Sequence, residues 1–201
     1  MAGPLASSQG NVSVYNAALA ELGVEPITSF LDDSLAARTG NLLYMNTLES
    51  ALADYPWRFA RDRQPMVQLD DETPPPWQSS WALPDTALAV NAVYDNGMPT
   101  SFDRFVGRIV TNIAPSTTIV PWAEITISVA PDRWGSHFRL GFIFMVAAVV
   151  CMPITQDASL AQAMQQLSGV LIARAKSHDA QGRTSSKLDT KMFIRQRRAG
   201  R

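Results

Sequence analysis

Residues 140–154 read LGFIFMVAAVVCMPI, fifteen residues without a charge. A helix that is apolar on every side has to be surrounded by other structure. A membrane span takes about 20 such residues, and a lysis or fusion peptide meets the same objection of length. The run therefore reads as the central helix of a bundle, spanning Trp134 to about Met152 and broken by Pro153.

Three further helices are predicted around it. In residues 11–22, Val12, Tyr15, Leu19 and Leu22 recur at steps of three and four, with Asn11 able to cap the start and Gly23 able to stop the end. A second helix starts at Asp32-Asp33-Ser34, whose acids suit a helix N-terminus, and runs to about Asp54. Leu35, Leu42, Met45, Leu48, Leu52 and Tyr55 would line its apolar face, and Pro56 ends it. After Pro153, Thr155 or Asp157 caps a fourth helix reaching about His178, with Leu160, Met164, Leu167, Val170 and Leu171 as its buried stripe.

Between about 60 and 131 the period changes. PMVQLD, ALAVNAVYD, FVGRIVTN and TTIVPWAEITISVA are short, rich in β-branched residues and separated by Pro, Gly, Asn and Asp. YDNGMP supplies an Asn-Gly hairpin turn. DDETPPPWQSSW has no apolar period and reads as a loop. No helical pattern alternates with these strands, so a small antiparallel module is expected.

The predicted fold is mainly α with inserted β: a four-helix bundle interrupted by a small antiparallel β module, with an extended C-terminal tail. Its segments are 1–59 and 132–178 for the bundle helices, 60–131 for the β module and 179–201 for the tail. The N-terminal residues lack a basic stretch followed by an apolar one, so no signal peptide is expected there.

Charge is divided unevenly along the chain. Overall the net charge is -1. From Arg174 onward there are nine Lys or Arg against two Asp, which leaves eight basic and sixteen acidic residues before it. Leu188, Met192, Phe193 and Ile194 lie among the tail's charges, a pattern that suits a segment docking on a partner. The docking candidates are Arg183, Lys187, Leu188, Lys191, Met192, Phe193, Ile194, Arg195, Arg197 and Arg198.

No catalytic constellation stands out. GSHFRLG lacks the spacing and the Lys of a phosphate loop. Two histidines, His137 and His178, and one cysteine, Cys151, do not give metal-ligand spacing. Cys151 lies in the most apolar run, where a thiolate would be costly. Asp70, Asp71 and Glu72 sit beside three prolines and read as a solvated turn. Neither an enzyme nor a cofactor or metal site is predicted.

One ordered set of motifs is familiar. Leu22-Gly23, Pro26-Ile27-Thr28, Asp32 or Asp33, Ala36-Ala37 and Trp57-Arg58-Phe59 are followed by Trp81 and Pro84, then by Trp134, Phe138, Ala147-Ala148 and Pro153-Ile154-Thr155. Over about residues 15–180 this order resembles phage head-to-tail adaptor proteins, including the tail tubular protein A of podoviruses. The loop at 70–80 and the tail after 180 depart from the pattern. The resemblance implies a non-enzymatic ring, commonly of twelve copies, at the neck of a virion assembled in the host cytoplasm. It implies the chain itself, a portal protein and a tail or nozzle protein as partners. DNA would pass through the channel without specific binding, and no membrane is involved. The equivalent part of a gene-transfer particle would look the same.

On that reading ALADYPWRFARD joins the second helix to the β module. Tyr55, Pro56, Trp57 and Phe59, with Trp81 and Trp134, are expected to seat one layer on the other, and Arg58, Arg61 and Arg63 to lie at the surface or at a subunit seam. An alternative reading is a nucleic-acid-binding module acting through the basic tail, which predicts DNA binding that falls steeply with salt.

Overall fold

The computed structural model describes residues 9–70, 73–114 and 120–182. Its helices are α1 (Gln9–Glu21), α2 (Leu35–Ala53), α3 (Ser136–Thr155) and α4 (Ala158–Gln181). Local chemistry sets their ends. Gly23 takes a positive φ of 68° just after α1, a conformation glycine adopts without a Cβ penalty. Ser34 caps α2 by accepting a hydrogen bond from the Ala37 N–H at 3.1 Å. Asp157 caps α4, accepting from the N–H groups of Ser159 and Leu160. Pro153 lies inside α3 rather than at its end, and the chain turns three residues later where Gln156 adopts the left-handed conformation.

Helix α3 packs against α1, α2 and α4. Its Phe138, Phe142 and Val146 form the helical core with Tyr15, Tyr44 and Leu48. The faces of the neighbouring helices differ from those predicted. Leu35 and Leu42 of α2 are exposed, while Ala37, Gly40 and Tyr44 point inward. In α4 the buried residues are Ser168, Ile172 and Ala175, and Leu167 and Val170 face outward. Small residues at the crossing let the helix axes approach closely, and that packing outweighs placing the largest apolar side chains inside.

The strands are β1 (Arg61–Pro65), β2 (Gln68–Leu69), β3 (Ser79–Ala82), β4 (Ala87–Asp95), β5 (Met98–Thr100), β6 (Phe102–Phe105), β7 (Arg108–Thr111) and β8 (Trp122–Ile127). They form two four-stranded antiparallel sheets, ordered β1-β8-β4-β5 and β2-β3-β7-β6. The edge strands of one sheet run directly into those of the other. Only Met66 and Val67 separate β1 from β2, and only Ser101 separates β5 from β6. The strand order therefore closes into a circuit, because each edge strand of one sheet continues into an edge strand of the other. Register shifts in β4 give the bending such a closure needs. The Asn96-Gly97 turn joins β4 to β5 with both residues at positive φ.

Met66, Trp81, Val93, Ile109, Ala123 and Ile125 fill this circuit and form a second core. The four-helix bundle with a small β module is therefore not the architecture. The chain is a mixed α/β fold of four helices and two four-stranded antiparallel sheets among the described residues. The reason is long-range: the short strands pair into two sheets with an interior of their own. Helix α2 lies against β4 and β8 of the first sheet.

Candidate interaction surface

The chain leaves α2 through Tyr55-Pro56-Trp57 and enters β1 through one short 3-10 turn at Arg58–Ala60. Trp57 is buried, and its indole N–H donates to the Ala51 carbonyl at 2.9 Å. Its ring centroid lies 4.8 Å from Tyr55, 5.9 Å from Phe59 and 4.7 Å from Phe138. Trp134 packs edge-on against Phe138 and Phe142 and donates to the Val129 carbonyl. The structure thus brings Tyr55, Trp57, Phe59 and Trp134 together within the helical core and its rim. Trp81 is elsewhere: it fills the interior between the sheets, donating to the hydroxyls of Ser79 and Thr111. The tail candidates Arg183 to Arg198 lie outside the described residues.

Beside this seam the outer face of the first sheet is open to water at Arg63, Pro65 and Trp122 and buried at Glu124 and Thr126. Cross-strand register places Arg61 opposite Thr126, Arg63 opposite Glu124 and Pro65 opposite Trp122. Tyr94 of β4 flanks Trp122 on its other side. Residues two apart share a face of a strand, so Arg61, Arg63, Trp122, Glu124 and Tyr94 lie on one face, with Arg63 and Trp122 outermost. Glu124 is only 7% exposed and holds both arginines, with Arg61 at 3.0 Å and Arg63 at 3.0 Å. The Arg63 guanidinium also lies 4.6 Å from the Tyr94 ring centre, a cation–π contact. Trp122 is 46% exposed. The buried Nε of Arg61 has no hydrogen-bond partner among the described residues. Arg58, Arg61, Asp62, Arg63 and Glu124 line a groove of about 340 Å³ here. The sequence marked the arginines but not Tyr94 or Trp122, whose alignment with them depends on pairing across about 60 residues.

A second feature adjoins the seam. His137 of α3 and His178 of α4 stack with ring centres 3.9 Å apart and planes 7° from parallel. They line a cleft of about 190 Å³ with Trp57, Phe59 and Asp179. Asp179 accepts a hydrogen bond from the Arg58 N–H. Among the described residues no group of three or more His, Cys, Asp or Glu is placed to hold a metal ion.

Several large apolar side chains of α3 and α4 are open to water. Leu140, Val149 and Met152 of α3 and Leu167 and Val170 of α4 are exposed. Met145, Ala148, Val149, Gln165, Ser168 and Gly169 line a groove of about 500 Å³ between the two helices. By length and composition α3 could cross a membrane, and 39% of its most apolar window is buried in this fold. No protein-family model and no curated protein matches the chain.

Proposed function

We propose that the chain is a structural head-to-tail adaptor of a tailed phage or phage-like particle, assembling as a ring that joins a portal to a tail and continues the DNA channel. The observation that carries this reading is the number of large apolar side chains that α3 and α4 leave uncovered. A single copy leaves Leu140, Val149, Met152, Leu167 and Val170 in water, and subunit contacts in a ring would cover side chains of this kind. The ordered motifs from Leu22-Gly23 to Thr155 support the same assignment. Such a role needs repeated subunit contacts and no catalytic groups.

The basic tail suits the contact with the portal, and the acidic body suits a channel that lets DNA slide, because cations along the wall would hold each phosphate. The test is the mass of the purified chain mixed with the detergent-free portal ring, for the full chain and for a form ending at Gly182. Many copies per portal, lost on truncation, is the expected result. A chain that stays off the portal and instead binds DNA in low salt overturns the reading in favour of a nucleic-acid module.

A further inference from the structure

Charge is arranged along the axis of α2. At its N-terminal end, residues 20–37 contain Glu21, Glu25, Asp32 and Asp33 and no basic residue. Asp32 is used internally, accepting from Thr28 and Ser29, and Asp33 pairs with Arg38. Glu21 and Glu25 are exposed and make no ion pair among the described residues. Leu31, on the same turn, is 80% exposed.

At the other end of α2 lie Arg58, Arg61 and Arg63. Nineteen helical residues separate the two ends, roughly 28 Å at the usual rise. The described chain also ends here, since Gly182 sits against the Arg58 guanidinium. The nineteen residues beyond it carry seven Lys or Arg and one Asp. The molecule therefore has an acidic end and an end where three arginines outnumber Asp62 and Glu124 in one groove, beside the exposed Trp122 and the root of a basic segment.

We propose that the Arg63–Tyr94–Trp122 face is the socket for a second copy of this chain, which presents its α1–α2 turn, with Glu21, Glu25 and Leu31, to that face. The inference rests on the adaptor reading for its purpose but not for its geometry. The composition of the socket is that of a binding hot spot, since Trp, Tyr and Arg carry a disproportionate share of interface energy. Tyr94 and Glu124 hold the Arg63 side chain in place, which lowers the entropy lost when it meets a carboxylate. The two surfaces are different and lie at opposite ends, so each copy uses one and leaves the other free. Such a heterologous contact propagates and closes into a ring when the rotation allows.

Complementation tests this directly. One full-length variant carries Arg63→Ala and Trp122→Ala, which spoils the socket and leaves Glu124 paired with Arg61. A second carries Glu21→Lys and Glu25→Lys, which spoils the turn. Sedimentation in low salt should show wild-type self-association, weakened at least about tenfold in each variant alone. An equimolar mixture should form one-to-one dimers and nothing larger, because only one productive interface remains. Dimers in the mixture also prove both variants folded.

Wild type that stays monomeric, association indifferent to either variant, or a mixture that fails to dimerise overturns the socket. Loss of single-stranded oligonucleotide binding in the Arg63→Ala, Trp122→Ala variant without any effect on self-association assigns the face to nucleic acid instead and also overturns it. Portal decoration separates the two readings. Equal decoration by all forms removes the socket and keeps the adaptor; no decoration, with complementation intact, removes the adaptor and keeps the socket.

Discussion

Gly141 of α3 and Ile172 of α4 meet so closely that a Cβ on the glycine would lie 2.8 Å from the Ile172 Cδ1 and 3.1 Å from its backbone nitrogen. The side-chain tip can turn away, but the backbone cannot. This contact sets the rotation of α4 on α3, and with it which residues of α4 face water. Gly141→Ala should destabilise the fold by about 1–3 kcal/mol through overpacking. Gly169→Ala, in α4 but with nothing within 4 Å of the added Cβ, should stabilise by up to about 1 kcal/mol as an ordinary helix glycine replacement. Thermal melts of the two variants measure both, and opposite signs are the expected result.

Asn16 ties α1 to the connection that follows it. Its Nδ2 donates to the Ile27 carbonyl at 2.8 Å, and its Oδ1 accepts from the Ile27 N–H at 2.9 Å. Asn16→Ala leaves both backbone groups without these partners and should cost about 1–3 kcal/mol. Asn16→Asp keeps only the acceptor and should fall between. Urea denaturation midpoints at neutral pH rank the three proteins.

Glu124 is the shared anion of two arginines on the sheet that faces the seam. Glu124→Ala strands Arg61, whose side chain is 29% exposed, more than Arg63, which is 61% exposed and can turn to water. A loss of roughly 2 kcal/mol is expected, the value of charge-assisted hydrogen bonds given up. Glu124→Gln should lose less, because it keeps an acceptor at the same place. In a double-mutant cycle with Arg61→Met, the Glu124–Arg61 coupling should exceed the coupling measured with Arg63→Met.

Alkaline pH should loosen the helical core. Burial lifts the Tyr15 hydroxyl to about 12, and burial pushes Tyr44 higher still against the opposing charge of Arg139. In the unfolded chain tyrosine titrates near about 10. Above that pH the unfolded state has lost protons that the folded state retains, so the stability present below about pH 10 declines as pH rises through the folded values. Denaturant midpoints between about pH 9 and about pH 11 should fall, and Tyr15→Phe should flatten the slope. The same variant gives up the hydrogen bond from Tyr15 to the Ala36 carbonyl, so its stability at neutral pH should be lower.

Much of this protein was legible residue by residue. Ser34 and Asp157 mark helix starts, Gly23 a helix stop and Asn96-Gly97 a hairpin, because each acts on backbone dihedrals or N–H groups within three or four residues. The apolar run at 140–154 marks α3 as the core helix for the same kind of reason. Other features depend on partners far along the chain. The circuit of eight strands follows from β1 pairing with β8 and β3 with β7, across gaps no local period records. Trp81 resembled Trp57 as a seam residue, yet it lies between two sheets whose existence depends on those pairings. The outward turn of Leu167 and Val170 follows from a glycine on another helix. Local sequence chooses among backbone conformations one turn at a time; which faces are buried depends on shape complementarity between elements, and that is a property of the assembled fold.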